Sequence, residues 1–168
     1  TEEQSQYLAY QTLAALRSEQ PELAQESVEL AQSIAQQSLY SMLALAYFQL
    51  SESKYEEVKT LISRILIIDA KQVDTLMLQG QVSMVTKDYQ QAALSFKEYL
   101  NLQPRSGIVQ LLLADALLKS GQDKEAENYA DAILAQIQSQ PFAHYIKAMV
   151  AFNSENFDKA SEHAEIAL

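Results

Sequence analysis

Any chemistry in this chain of 168 residues would have to come from histidines and carboxylates, because it contains no cysteine. The histidines are His144 and His163. A metal centre needs several ligands converging at about 2 Å, and no further His or Cys stands at a spacing that would complete one. The two rings therefore read as one packed and one exposed histidine, and no metal or cofactor is expected. Carboxylates are plentiful, as in Glu56-Glu57 and in Glu125 with Glu127. Paired acids are what general acid–base catalysis uses. Here they lie beside lysines, so a solvated outer face accounts for them better. G-x-S-x-G, a glycine-rich phosphate loop and H-E-x-x-H are all missing from the sequence. With no nucleophile, base or ligand set, the expectation is that this is not an enzyme.

Side chains that do no chemistry can still bind, and composition limits what. Asp and Glu number 22 against 12 Lys and Arg, a formal charge of −10. Nucleic-acid affinity comes largely from cations that displace counterions, so such a surface repels a phosphate backbone. Anionic membrane surfaces are disfavoured for the same reason. The richest apolar run, Leu61 to Ile68, is broken by Ser63 and Arg64, well short of the roughly 18 residues of a membrane span. Hydrophobic residues make up 48% of the chain and there are only three Gly and three Pro. That mixture favours helices over disorder or a glycine-punctuated β-fold.

The elements that would position a binding face follow from an internal period. Ala92, Ala126 and Ala160 are evenly spaced, and the same step backwards reaches Val58 and Ala24. Ala46, Gly80, Ala114 and Ala148 repeat at the same interval, with Thr12 as the weak first member. Tyr55, Tyr89 and Phe157 form a third row, with Asp123 and Pro21 as exceptions. No insertion is needed from Ser5 to Leu168. The period predicts first helices near 3–17, 39–51, 73–85, 107–119 and 141–153. Second helices follow near 21–34, 55–68, 89–102, 123–136 and 157–168. Gly121 suits a left-handed helix end, and Asp88 and Asn156 suit N-caps. Ser53 with Glu56 reads as a capping box. Pro21 and Pro141 fit a first helical turn, where the missing N–H costs nothing.

These rows resemble the tetratricopeptide repeat (TPR) family. Residues 73–104 carry most of its motif: Gly80, Asp88-Tyr89, Ala92, Phe96, Leu100 and Pro104. The resemblance covers the whole chain as units 5–38, 39–72, 73–106, 107–140 and a truncated 141–168. It implies an all-α solenoid, a right-handed superhelix of about five antiparallel helix pairs forming one array. Departures lie at Leu8, Met42, Leu76, Gln110 and His144, where the family has a large aromatic, and at polar Gln79, Ser83 and Lys147. Because the chain stops at Leu168 inside a second helix without a polar cover, it is expected to be a fragment of a longer repeat protein. Homo-oligomers could form through that uncapped face. The strings at 114–126 and 147–160 are similar to those of bacterial TPR lipoproteins that accompany exosortase and exopolysaccharide export systems, which implies an exported, envelope-associated protein.

The resemblance also implies a binding surface on the first helices, lining a concave groove. By register it is Tyr40, Leu43, Tyr47, Leu50 and Ser51, then Asp74, Met77, Gln81, Met84 and Val85. The next two units add Ile108, Leu111, Asp115, Leu118 and Lys119, and Phe142, Tyr145, Met149, Phe152 and Asn153. The Lys, Arg and Asn set with which chaperone-binding relatives grip a C-terminal carboxylate is absent. Ala9, Leu13, Ala44, Asp74 and Leu78 stand in its places. Flexible Met with rigid Tyr and Phe instead suits a protein partner offering an amphipathic helix or an extended apolar segment. The competing readings are a structural spacer or self-assembly element, and a regulatory array within a larger protein.

Overall fold

The computed structural model describes every residue from Thr1 to Leu168. It contains ten α-helices: α1 (Glu2–Arg17), α2 (Pro21–Ala35), α3 (Leu39–Ser51), α4 (Tyr55–Ile68), α5 (Val73–Val85), α6 (Tyr89–Leu102), α7 (Gly107–Lys119), α8 (Asp123–Leu134), α9 (Pro141–Asn153) and α10 (Phe157–Ala167). Every helix end lies within two residues of its place in the sequence reading.

Local rules set these boundaries. Asp88 and Asn156 accept the N–H groups of Gln91 and Lys159 at 3.2 and 3.3 Å, satisfying donors that the helix itself leaves unpaired. Pro21 and Pro141 open α2 and α9. The turn within each helix pair contains one left-handed residue: Glu19, Ser53, Lys87, Gly121 and Glu155, with φ of 55°, 60°, 62°, 78° and 60°. These positions recur at the interval of the alanine rows, yet only one of them is glycine. Ser53 is therefore the reversal itself. It does not cap α4, whose N-cap is Lys54 with no side-chain bond; the expected capping box with Glu56 is absent because Ser53 stands one residue too early.

Residues Thr1–Val82 and Ser83–Leu168 form two compact units. In the first, the small row Thr12, Ala24, Ala46 and Val58 is entirely solvent-free, as close helix packing demands. Leu43, Val58, Ile62 and Ile65 centre a core that Leu78 and Val82 of α5 complete. A fully buried aliphatic side chain of this kind contributes about 1.5–3 kcal/mol relative to exposure. The α2–α3 seam is fixed by hydrogen bonds. Ser41 Oγ donates to the Ala31 carbonyl at 2.7 Å, and Gln32 Nε2 donates to the Ser41 carbonyl at 2.8 Å.

In the second unit Ala114 and Ala126 are likewise solvent-free, beside Val109, Leu113, Leu117, Ala130 and Ile146. The polar departures from the repeat pattern find partners here. Gln110 Nε2 donates to the Pro104 carbonyl at 3.0 Å, and His144 Nε2 makes the equivalent bond to the Gln138 carbonyl at 2.8 Å. Lys147 reaches from α9 to Glu127 and Asp131 on α8. Helix α10 buries no residue fully.

Candidate functional site

The side chains proposed for binding divide between the two units. In the first unit two of them, Tyr40 on α3 and Asp74 on α5, are hydrogen-bonded to side chains of α1. Tyr10 Oη donates to Asp74 Oδ2 at 2.9 Å, across 64 residues of sequence. Gln6 Nε2 donates to Tyr40 Oη at 3.1 Å, and Gln72 Nε2 adds a second bond to Asp74 Oδ2 at 3.3 Å. Burial, followed by the bond to Asp74, pushes the Tyr10 phenol up, so it stays a donor at neutral pH. Tyr47 is raised far more, first by burial and then by the negative charges of Asp74 and Tyr10. Phenols and carboxylate are thus electrostatic neighbours. Met77 is half-buried beside this group in sequence, and Gln81 is exposed.

The second unit presents a different surface. Ile108 on α7 is 72% exposed, and Phe142, Tyr145 and Phe152 on α9 are 37%, 38% and 57% exposed. Phe142, Tyr145, Met149 and Phe152 follow a helical stripe of α9. Phe142 and Tyr145 stack with ring centroids 5.4 Å apart, and Phe152 meets Phe157 of α10 edge-on at 5.8 Å. Both are arrangements that aromatic pairs prefer. Met84, Leu111 and Met149 are half-buried.

Four of the expected groove residues, Leu43, Tyr47, Asp115 and Leu118, are not available to a partner, Leu118 on α7 being 7% exposed. Leu43 has no exposed surface and sits in the core of the first unit. Tyr47, at 7%, belongs to the same core. Asp115, at 6%, turns Oδ2 to Lys119 Nζ one helical turn away at 2.7 Å, while its Oδ1 is buried without a partner. The repeat register marks a position on a helix, and the size of the neighbouring side chains decides whether that position reaches solvent.

The histidines also depart from expectation. His144 is buried, but His163 is half-buried rather than exposed, and the two Nδ1 atoms lie 3.0 Å apart. The Gln138 carbonyl can only accept, so His144 Nε2 carries a proton, and between the two Nδ1 atoms one ring donates and the other accepts. No third ligating side chain joins them into a metal cluster. Sequence reasoning missed this pair. The available signal was that both residues fall in the same helix hairpin.

Helix hairpins that repeat one turn geometry at a constant interval, with exposed apolar side chains on their first helices, define an α-helical repeat scaffold. The model of the tetratricopeptide repeat family matches residues 86–151. The chain is 33% identical over 86 residues to the antiviral innate immune response effector IFIT1 of Macaca fascicularis, covering 51% of this chain and 18% of that protein. To the human IFIT1 it is 27% identical over 123 residues, covering 68% and 26%. The chain thus spans about a quarter or less of the length of these curated relatives. Among solved structures, MamA from Desulfovibrio magneticus RS-1 (residue 41 to its end) superposes with a TM-score of 0.80 at 13% identity, covering 97% of this chain and 93% of MamA. Pseudomonas aeruginosa PilF superposes at 0.78 with 19% identity, covering 98% and 75%. At these identities the structures show the fold alone. The matches speak for the repeat family and do not reach the narrower export-associated group. The repeat match supports a protein-interaction scaffold in general, and no helix of this chain is long and apolar enough to cross a membrane.

Proposed function

We propose that this chain holds a helical or extended apolar segment of another protein against the exposed side of its first helices. The observation that supports this most is the row of Ile108, Phe142, Tyr145 and Phe152, each at least 37% exposed. Large apolar side chains left contiguous in water mark interaction sites on folded proteins. Met149 and Met84 add side chains that adapt to differently shaped partners. Nothing in this surface resembles a reaction centre. It supplies area and shape, and specificity comes from the few polar groups around it.

The test is affinity capture from a lysate of the source organism with the wild-type chain and with an Ile108→Glu, Tyr145→Glu, Phe152→Glu variant of equal helicity. A protein retained by the first and lost by the second supports the binding reading. If both retain the same proteins, or only copies of the chain, the surface is not a partner site and the spacer or self-assembly reading replaces it.

A further inference from the structure

Asp74 stands out among the acids of the first unit. That unit carries 11 acidic and 5 basic residues, a net −6, and its ion pairs are Lys54 with Glu52 and Lys59 with Glu56. Asp74 takes part in neither. Its partners are neutral donors, the Tyr10 phenol and the Gln72 amide, and both bond to Oδ2. They fix the orientation of the carboxylate without cancelling its charge. A carboxylate has about four acceptor positions, so those of Oδ1 remain for another donor. Asp74 is half-buried and Tyr10 is 43% exposed, which places the group where an incoming side chain can reach it.

We infer that Asp74, Tyr10 and Tyr40 form a subsite for one basic side chain, an arginine or lysine, of the segment that the first helices bind. This rests on the scaffold reading and gives it a partner class: an apolar segment that carries a cation. A guanidinium matches the arrangement in chemistry. It bonds to a carboxylate through a planar fork, and tyrosine rings and oxygens favour a cation through their quadrupole and lone pairs. A half-buried carboxylate in a partly dehydrated setting attracts such a group more strongly than an exposed surface acid does. The raised phenol of Tyr47 is independent witness to that setting. A bare metal ion fits less well, since no cluster of three or more ligating side chains exists. An anion would meet Asp74 directly and be repelled.

The test uses the whole chain with isotope-labelled tyrosine. It is titrated with N-acetyl-arginine amide and, separately, with the neutral isostere N-acetyl-citrulline amide. The expected result is a saturable shift of the Tyr10 and Tyr40 ring signals with the arginine compound only, lost in Asp74→Asn. Equal shifts from both compounds, no shifts, or shifts that survive Asp74→Asn would overturn the subsite. Tyr10→Phe keeps the carboxylate but removes the donor that orients it, and binding should weaken roughly threefold with helicity unchanged; full retention would remove Tyr10 from the subsite. A second measurement separates this inference from the reading beneath it. An amphipathic Leu/Ala peptide with a central Arg should bind about tenfold tighter than its citrulline twin, a difference of about 1.4 kcal/mol. Equal binding of the twins sinks the subsite and leaves the scaffold reading intact. Ring shifts from the arginine compound with no binding of either peptide do the reverse.

Discussion

The first helices of the two units carry side chains at the same register positions and make opposite surfaces from them. Tyr40 of the first unit is bonded to Gln6 and Asp74 to Tyr10, and Leu43 and Tyr47 vanish into the core. In the second unit Ile108 and Phe142 stand at the register position of Tyr40 and Asp74, and Tyr145 stands at that of Leu43, and all three are exposed to water. The repeat period dictates where helices run and which side of each is shared with a neighbour. It does not dictate the character of that side. A phenol that meets a carboxylate closes into a polar group, whereas a phenylalanine with no such partner stays open. The first unit therefore presents an oriented carboxylate, and the second presents exposed apolar side chains.

That contrast is most directly broken by truncating one first-helix side chain in each unit. Leu43→Ala removes a fully buried side chain from the first unit and should cost about 3 kcal/mol of stability in urea unfolding, within the range of core leucine truncations. Ile108→Ala, at 72% exposure, should cost no more than about 0.5 kcal/mol while weakening partner capture. Similar costs at both sites would mean that the two surfaces do not differ as described. A second substitution probes the shared part of the repeat. Ala126 is solvent-free at the α7–α8 seam, and Ala126→Leu should destabilise by about 1–3 kcal/mol through overpacking. An unchanged thermal midpoint would contradict the close approach of those helices.

Much of this architecture was legible in the residues. The alanine rows and the apolar periodicity placed every helix end within two residues, because a hairpin of two amphipathic helices admits few packings once its small residues are located. Asp88, Asn156, Pro21 and Pro141 were readable because capping is local chemistry. Contacts between elements were less accessible. The Tyr10–Asp74 bond spans 64 residues, and Tyr10 lies outside the register positions assigned to binding. Its only signal was an aromatic hydroxyl where Ala44 and Leu78 stand in the next repeats. Leu43 and Asp115 enter the groove by position alone, and position says nothing about the bulk of their neighbours. Ser53 imitates a cap since Ser followed by Glu at the third place fits one, while the demand for a left-handed residue at that point is invisible in a serine.

The turn row offers a reciprocal pair of tests across the units. Ser53, at φ 60°, bears a strain that glycine would not. Ser53→Gly in the first unit should stabilise by about 0.5–1 kcal/mol, the left-handed penalty of roughly 1–2 kcal/mol less the added freedom of glycine in the unfolded chain. Gly121 has φ 78° and open space around the position of a Cβ. Gly121→Ala in the second unit should therefore lose about 1 kcal/mol by backbone strain alone. Equal and opposite shifts in thermal midpoint would confirm that one turn geometry serves both units. Two shifts of the same sign would show that the units use it differently.

The smallest effect belongs to the second unit alone, where titratable rings join α9 to α10. His163 is held below its usual pKa by burial first, then by the Lys147 ammonium and by His144, with Glu162 and Asp131 opposing. A histidine with a lowered folded-state pKa binds fewer protons folded than unfolded between the two values. Stability then rises with pH through that window and falls as the solution is acidified below about 6.5. Geometry gives this a location. The pair accommodates one proton, since either ring can donate to the other, but a second would set two N–H donors against each other at 3.0 Å. Helix α10 has no fully buried residue to resist the repulsion, so it should loosen before α7, α8 or the rest of α9. Amide exchange in α10, corrected for intrinsic rates, should be faster at pH 5 than at pH 7.5, while α3 and α4 of the first unit, which contain no histidine, keep their protection. His163→Asn should flatten that response, because an amide keeps a hydrogen-bonding group at the site without a proton to gain. Acid-sensitive exchange of equal size in both units, or an undiminished response in His163→Asn, would place the titration elsewhere and remove this distinction between them.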